Sequence, residues 1–173
     1  VSVNEYGLIT AISGGTVSII ANIGDKSKTC RIKVNPDVYI AGFENDKPCY
    51  WKNGKKVQLS ENSGRAWSIF VKGEDVYACG YENVDGSRQA VLWKNGKATY
   101  LSDDIYYDRA VDLFIYENDI YVLAKGSGTV AYWKNDEKVI VNTDSQTHAW
   151  SIYVSNGDVF ISGYTNEERR RIN

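Results

Sequence analysis

Three basic residues, Arg65, Arg109 and His148, stand at matching places in the chain, each directly before an alanine that opens an apolar run. Side chains of this kind at one end of neighbouring strands form a cationic ring, which suits a carboxylate or an acidic glycan. The competing role is structural, each pairing with a loop acid such as Glu61, Asp108 or Asp144, because residues repeated through an array usually serve the scaffold. Loop 102–108 is the other distinctive stretch. Its Tyr106 and Tyr107 are suited to stack on a sugar or a peptide, and its Asp103 and Asp104 to hold a cation. Acids without an alternating ladder are weak evidence for calcium, and a solvated loop with partly buried tyrosines fits the stretch better.

No catalytic constellation stands out. The chain has one histidine, no Gly-x-Ser-x-Gly elbow, no glycine loop for phosphate and no zinc-protease helix, so no catalytic, cofactor-binding or metal residue is assigned and no cofactor is expected. Carboxylates drawn from separate repeats, as in glycosidases, stay open. Cys30, Cys49 and Cys79 form no closely spaced zinc pair, and an odd count resists a complete disulfide scheme. Cys49 aligns with Val91 and Ala131, and Cys79 with Ala41 and Ser162, positions that call for small size. Cys30 is expected to be a small buried residue too.

The elements that must position these side chains come from an internal repeat. YWKNGK at 50–55 returns as LWKNGK at 92–97 and YWKNDE at 132–137. DVYIAGFE at 37–44 returns as DVYACGYE at 75–82, DIYVLAKG at 119–126 and DVFISGYT at 158–165. RAWSIFV at 65–71 returns as RAVDLFI at 109–115 and HAWSIYV at 148–154. The constant order and a period of about 40 residues mark residues 36–173 as an array. Each unit reads as four strands, a to d. Strands a (66–71, 110–115, 149–154) and b (38–43, 76–81, 120–124, 159–164) are nearly continuous apolar runs, which implies burial on both faces. Strand c (48–52, 89–94, 129–134) ends in Asn53-Gly54 or Asn95-Gly96, a tight hairpin signal. Strand d alternates and carries lysines, as an exposed edge does.

An all-β fold follows, with almost no helix. A four-stranded antiparallel meander of this length, buried on both faces at its inner strands, suits a blade of a β-propeller, with a β-solenoid or packed hairpins as the alternative. The expected blades lie near 37–60, 65–102, 109–142 and 148–165. Trp51, Trp93 and Trp133 are expected to be core or inter-blade anchors, and so are Trp67 and Trp150. The a-to-b and c-to-d turns are short and repetitive, whereas the b-to-c and d-to-a loops at the other end vary. Variation on one face suits recognition, and the binding site is placed there.

Two resemblances extend this reading. The paired DVY(V)AGYE and YWKNG strings resemble tandem repeats of secreted gut-bacterial proteins, a likeness that covers most of 37–165 and implies no particular activity. Residues 1–35 do not match the repeat. Asn4, Gly7-Leu8-Ile9, Gly15-Thr16 and the closing Cys30-Arg31-Ile32-Lys33-Val34 resemble the C-terminal part of a bacterial immunoglobulin-like domain of group 2. That likeness implies a partial β-sandwich segment, with strands at 8–12, 16–21 and 30–34. Pro36 marks the boundary.

Charge and composition narrow the function. Lys+Arg 20 against Asp+Glu 22 gives a formal net charge of -2, which leaves no basic footprint for nucleic acid. No apolar stretch approaches the roughly 20 residues of a membrane span, and no charged-then-apolar leader opens the chain. With Met 0, Val1 is not expected to be the start of translation. Residues 36–173 hold about 3.5 units, whereas closed propellers take about four to eight. The expectation is a fragment of a longer chain, or self-association in which two chains complete a ring of about seven blades. A noncatalytic extracellular or cell-surface module that binds a glycan or a protein through the variable face is the expected function. An accessory or partial catalytic propeller of a polysaccharide-active enzyme is the alternative, and a structural spacer the third.

Overall fold

The computed structural model describes residues 2–10, 14–101, 109–126, 128–142 and 147–165. The chain divides into two compact units, Val1–Val38 and Tyr39–Asn173. In the first, β1 (Ser2–Val3) pairs with β2 (Ile9–Thr10) around a turn in which Asn4 Oδ1 accepts hydrogen bonds from the backbone N–H groups of Tyr6 and Leu8. β3 (Gly15–Ile23) and β4 (Lys26–Val34) form a nine-pair hairpin that turns at Gly24, whose φ of +58° suits glycine. The hairpin is longer than the 16–21 and 30–34 segments predict, because the polar stretch between them also pairs. Cys30 is exposed rather than buried, since most of β4 meets solvent.

The second unit is a succession of antiparallel sheets, with no helix among the described residues. β5 (Tyr39–Glu44), β6 (Lys47–Lys52) and β7 (Lys55–Gln58) make a three-stranded sheet. β8 (Gly64–Lys72), β9 (Asp75–Val84), β10 (Ser87–Lys94) and β11 (Lys97–Tyr100) make a four-stranded one, in that order. β12 (Arg109–Tyr116), β13 (Asp119–Gly126), β14 (Thr129–Lys134) and β15 (Glu137–Asn142) repeat the pattern. β16 (Thr147–Ser155) and β17 (Asp158–Thr165) form a two-stranded sheet. These strands coincide with the a to d pattern of the repeat.

The recurring strings are hairpin clamps. Asn95, at φ +51° in the turn after β10, donates from Nδ2 to Asp75 Oδ1 at 2.7 Å while its Oδ1 accepts from the Val76 N–H at 2.9 Å. Lys94 pairs with the same Asp75 and lies over the Tyr77 ring. One unit later, Asn135, Asp119, Lys134 and Tyr121 reproduce the set. The Asp-x-Tyr and Lys-Asn residues thus lock strand b to strand c at a single register.

Packing runs sheet to sheet. Ala66, Ala78, Val91 and Trp93 meet Ala41 and Tyr50 of the first sheet and Leu59, which follows it. The opposite face of the second sheet, with Tyr77, Cys79 and Ala90, meets Leu113, Val122 and Trp133 of the third. Tyr121, Leu123 and Val130 on the third sheet's far face meet Ala149, Ile152 and Val154 of the fourth. The inner strands of the second and third sheets are buried on both faces because each of these sheets lies between two others, which explains their unbroken apolar runs. Trp93 is fully buried and Trp133 nearly so, whereas Trp51 is half-buried.

Strand β12 lies against both β8 and β16, and Asp112 joins all three. Its Oδ1 accepts from Ser68 Oγ at 2.8 Å, and its Oδ2 accepts from Ser151 Oγ at 2.7 Å and from the Ile152 N–H at 2.9 Å. Replacing Asp112 with alanine strands these donors at a sheet-to-sheet seam. The expected loss is about 3 kcal/mol of unfolding free energy, read by urea denaturation. A loss below about 1 kcal/mol would show that the seam holds without it.

Hydrogen bonding from Asn95 and then Lys94 lowers the Asp75 carboxyl below its ordinary value, and Lys134 with Asn135 does the same for Asp119. A carboxyl depressed on folding adds stability above its unfolded pKa of about 4, and that contribution is lost as pH falls through the folded value. The urea midpoint should therefore drop below about pH 4, and the Asp75→Asn/Asp119→Asn pair should make that acid limb shallower. An identical acid limb in the double variant would assign the acid sensitivity to other carboxylates.

Candidate functional site

The three strands that Asp112 joins share one irregularity. The β8–β9 ladder pairs Ala66 with Gly80 and Ser68 with Cys79, so that Trp67 has no partner residue. The β12–β13 ladder skips Val111 between Ala110 and Asp112 in the same way, and β16–β17 skips Trp150 between Ala149 and Ser151. A bulge of this kind releases one residue from the alternation and re-aims its side chain. At two of the three, glycine in the partner strand accommodates it: a Cβ on Gly80 would strike the Arg65 carbonyl oxygen, and one on Gly163 the carbonyl oxygen of His148, whereas β13 has Ala124 there.

The consequence is that Trp67 and Trp150 are 47% and 59% exposed, against the expectation that they are core anchors. The apolar run around them implied burial, but the bulge takes one residue of each run out of the buried pattern. With Arg109, Val111 and Lys125 they line a cleft of about 250 Å³ that gathers the bulged residue of all three strands. Lys125 Nζ lies 5.5 Å from the centre of the Trp150 ring and 3.4 Å from His148 Nδ1. The His148 ring stacks on Tyr164 with centroids 4.7 Å apart, and Trp150 stacks on the same tyrosine.

The three sequence-predicted cations take different places. Arg109 lines the cleft. His148 borders it through Lys125 and also lines a separate groove with Asn142, Thr147 and Tyr164. Arg65 sits 4.1 Å over the Phe43 ring and 4.0 Å from Asp46, so its guanidinium bridges to the preceding sheet. Glu61, considered as its partner, pairs with Lys47 instead. Asp103, Asp104, Tyr106 and Tyr107, together with Asp108 and Asp144, lie outside the described residues. Lys125, Trp67, Trp150 and Tyr164 are the cleft residues and neighbours that sequence reasoning passed over.

Among curated proteins none matches the chain significantly. Residues 1–36 match the bacterial Ig-like domain family, Big-like. That match lies within the first unit and includes no residue of the cleft.

One buried carboxylate also merits placing. Glu82 is almost fully buried and accepts from Trp93 Nε1 at 3.0 Å, Tyr100 Oη at 2.9 Å and Asn62 Nδ2 at 2.8 Å. Burial, then the neighbouring carboxylate, pushes the Tyr100 phenol up from its ordinary value. Three neutral donors occupy the Glu82 oxygens, so this acid is a strut tying strands b, c and d to the 59–64 segment. Among the described residues, no group of three or more His, Cys, Asp or Glu is arranged to hold a metal ion.

The contrast between the two kinds of tryptophan is measurable. Trp67→Ala and Trp150→Ala should each change unfolding free energy by less than about 1 kcal/mol, while Trp93→Ala should cost about 3–5 kcal/mol. Comparable losses at all three positions in urea titrations would return Trp67 and Trp150 to the core.

Proposed function

We propose that this chain is a noncatalytic glycan-binding module of an extracellular or cell-surface protein, and that residues 39–165 form part of a β-propeller whose inner strands β8, β12 and β16 present the ligand site. The observation that carries the reading is the display of Trp67 and Trp150 at equivalent bulges, 47% and 59% exposed, on strands whose flanking alanines are buried. A fold gains nothing from exposing two indoles, and rigid exposed indoles offer flat apolar faces on which pyranose C–H faces stack. The strands that hold them are fixed by Asp112, so stacking costs little ordering entropy.

The propeller reading is supported by the second and third sheets, which bury both faces against their neighbours, and by the meeting of the strand a edges at Asp112. An extracellular setting is supported, by analogy, by the bacterial Ig-like match on residues 1–36. The saturated hydrogen bonding of Glu82 supports a binding rather than a catalytic role.

A glycan array probed with the whole chain should return binders whose signal falls at least tenfold in Trp67→Ala and in Trp150→Ala, with folding unchanged by circular dichroism. Binding that is indifferent to both substitutions would remove the cleft from the proposal. Turnover of a bound polysaccharide would move the function to the enzyme class.

A further inference from the structure

We infer that the cleft selects acidic saccharides, sugars that carry a carboxylate on the ring, through Arg109 and Lys125. The inference rests on the glycan-binding reading above and narrows it to a ligand class. Its starting point is a cross-strand pair. Arg109 and Lys125 are direct partners in the β12–β13 ladder, so two cations stand opposite each other at the end of the sheet that bears the cleft. Like charges directly opposite destabilise a sheet. The equivalent pairs in the neighbouring sheets, Arg65 with Tyr81 and His148 with Tyr164, place an aromatic residue opposite the basic one. The third sheet alone substitutes a second cation for that aromatic, and it does so where both side chains line the cleft between Trp67 and Trp150.

The geometry around Lys125 fits a receiving role. Its ammonium has three N–H donors, and its neighbours on the cleft side are the Trp150 face and the His148 ring nitrogen, neither of which neutralises its charge. A carboxylate there meets the Lys125 ammonium, and a guanidinium at the same cleft adds donors whose fork matches a carboxylate. Flanking indoles confine that anion to a group attached to a flat, partly apolar ring. Nucleic acid satisfies the aromatic requirement as well, but a chain of net charge -2 offers no further track for a phosphate backbone.

The test is calorimetric titration of the whole chain with oligomers of galacturonate, glucuronate and mannuronate, each beside its carboxyl-reduced counterpart, in which the ring is kept and the charge removed. At least one acidic oligomer should bind at least tenfold more tightly than its reduced form, and that preference should shrink with added salt. Lys125→Gln and Arg109→Gln should each erase most of the preference, lowering the affinity for the acidic form by a larger factor than that for the reduced form. Trp67→Ala should weaken both forms equally. If the reduced forms bind as well as the acidic ones and still depend on Trp67, the acidic inference fails and the glycan-binding reading stands. If no acidic oligomer binds, the inference fails as well. A further absence of Trp67-dependent binding to any neutral glycan would end the broader reading too.

Discussion

The carboxylate of Asp112 reaches two neighbouring sheets at once, and the architecture of the second unit turns on that fact. One side chain on β12 satisfies hydroxyls on β8 and β16 and a backbone N–H on β16, so three strands from three sheets are held edge to edge. Serine at the two partner positions is a requirement of this arrangement, since each must donate to one shared acceptor. Charge-assisted hydrogen bonds of this kind are stronger than neutral ones, and they act between elements that no ladder connects. The same carboxylate is felt at Cys79, whose own burial first and Asp112 second push the thiol well up.

Around that seam, the second and third sheets solve the problem of two apolar faces by packing between their neighbours. The clamps made by Asp75 with Asn95 and by Asp119 with Asn135 then fix register within each sheet, where a slip of one residue would turn every side chain to the wrong face. Register within sheets and hydrogen bonds between them are separate devices. Their separation lets the strand ends near the seam carry residues that serve neither.

Much of this was legible in the sequence because the clamp residues recur as strings. Asn95-Gly96 announced its turn, and the unbroken apolar runs of β9 and β13 announced burial on both faces. The candidate site was legible only in part. Arg109 was found through its place in the repeat, but Lys125 was hidden because it occupies a position that holds aromatic residues elsewhere. Trp67 and Trp150 were misread because an apolar run carries no mark of the residue that a bulge removes from it. A signal did exist: Gly42, Gly80 and Gly163 recur inside strand b, and a glycine within a strand points to a bulge or a close backbone approach. The length of the first hairpin was missed for a different reason, since the polar pairs between Ala21 and Thr29 follow from the turn at Gly24 rather than from hydrophobic pattern.

The bulges also bear on how such a chain can change. A residue outside the ladder is not counted in the register, so its identity is freer of the scaffold's demands where, as at Trp67 and Trp150, it is also exposed. The three strands already show this freedom, with tryptophan, valine and tryptophan at one equivalent position and the same flanking geometry. The second and fourth sheets therefore each carry one display position on a frame that need not be rebuilt. Specificity can drift there by single substitutions, and a combinatorial library restricted to those positions would sample new ligands at little risk to folding.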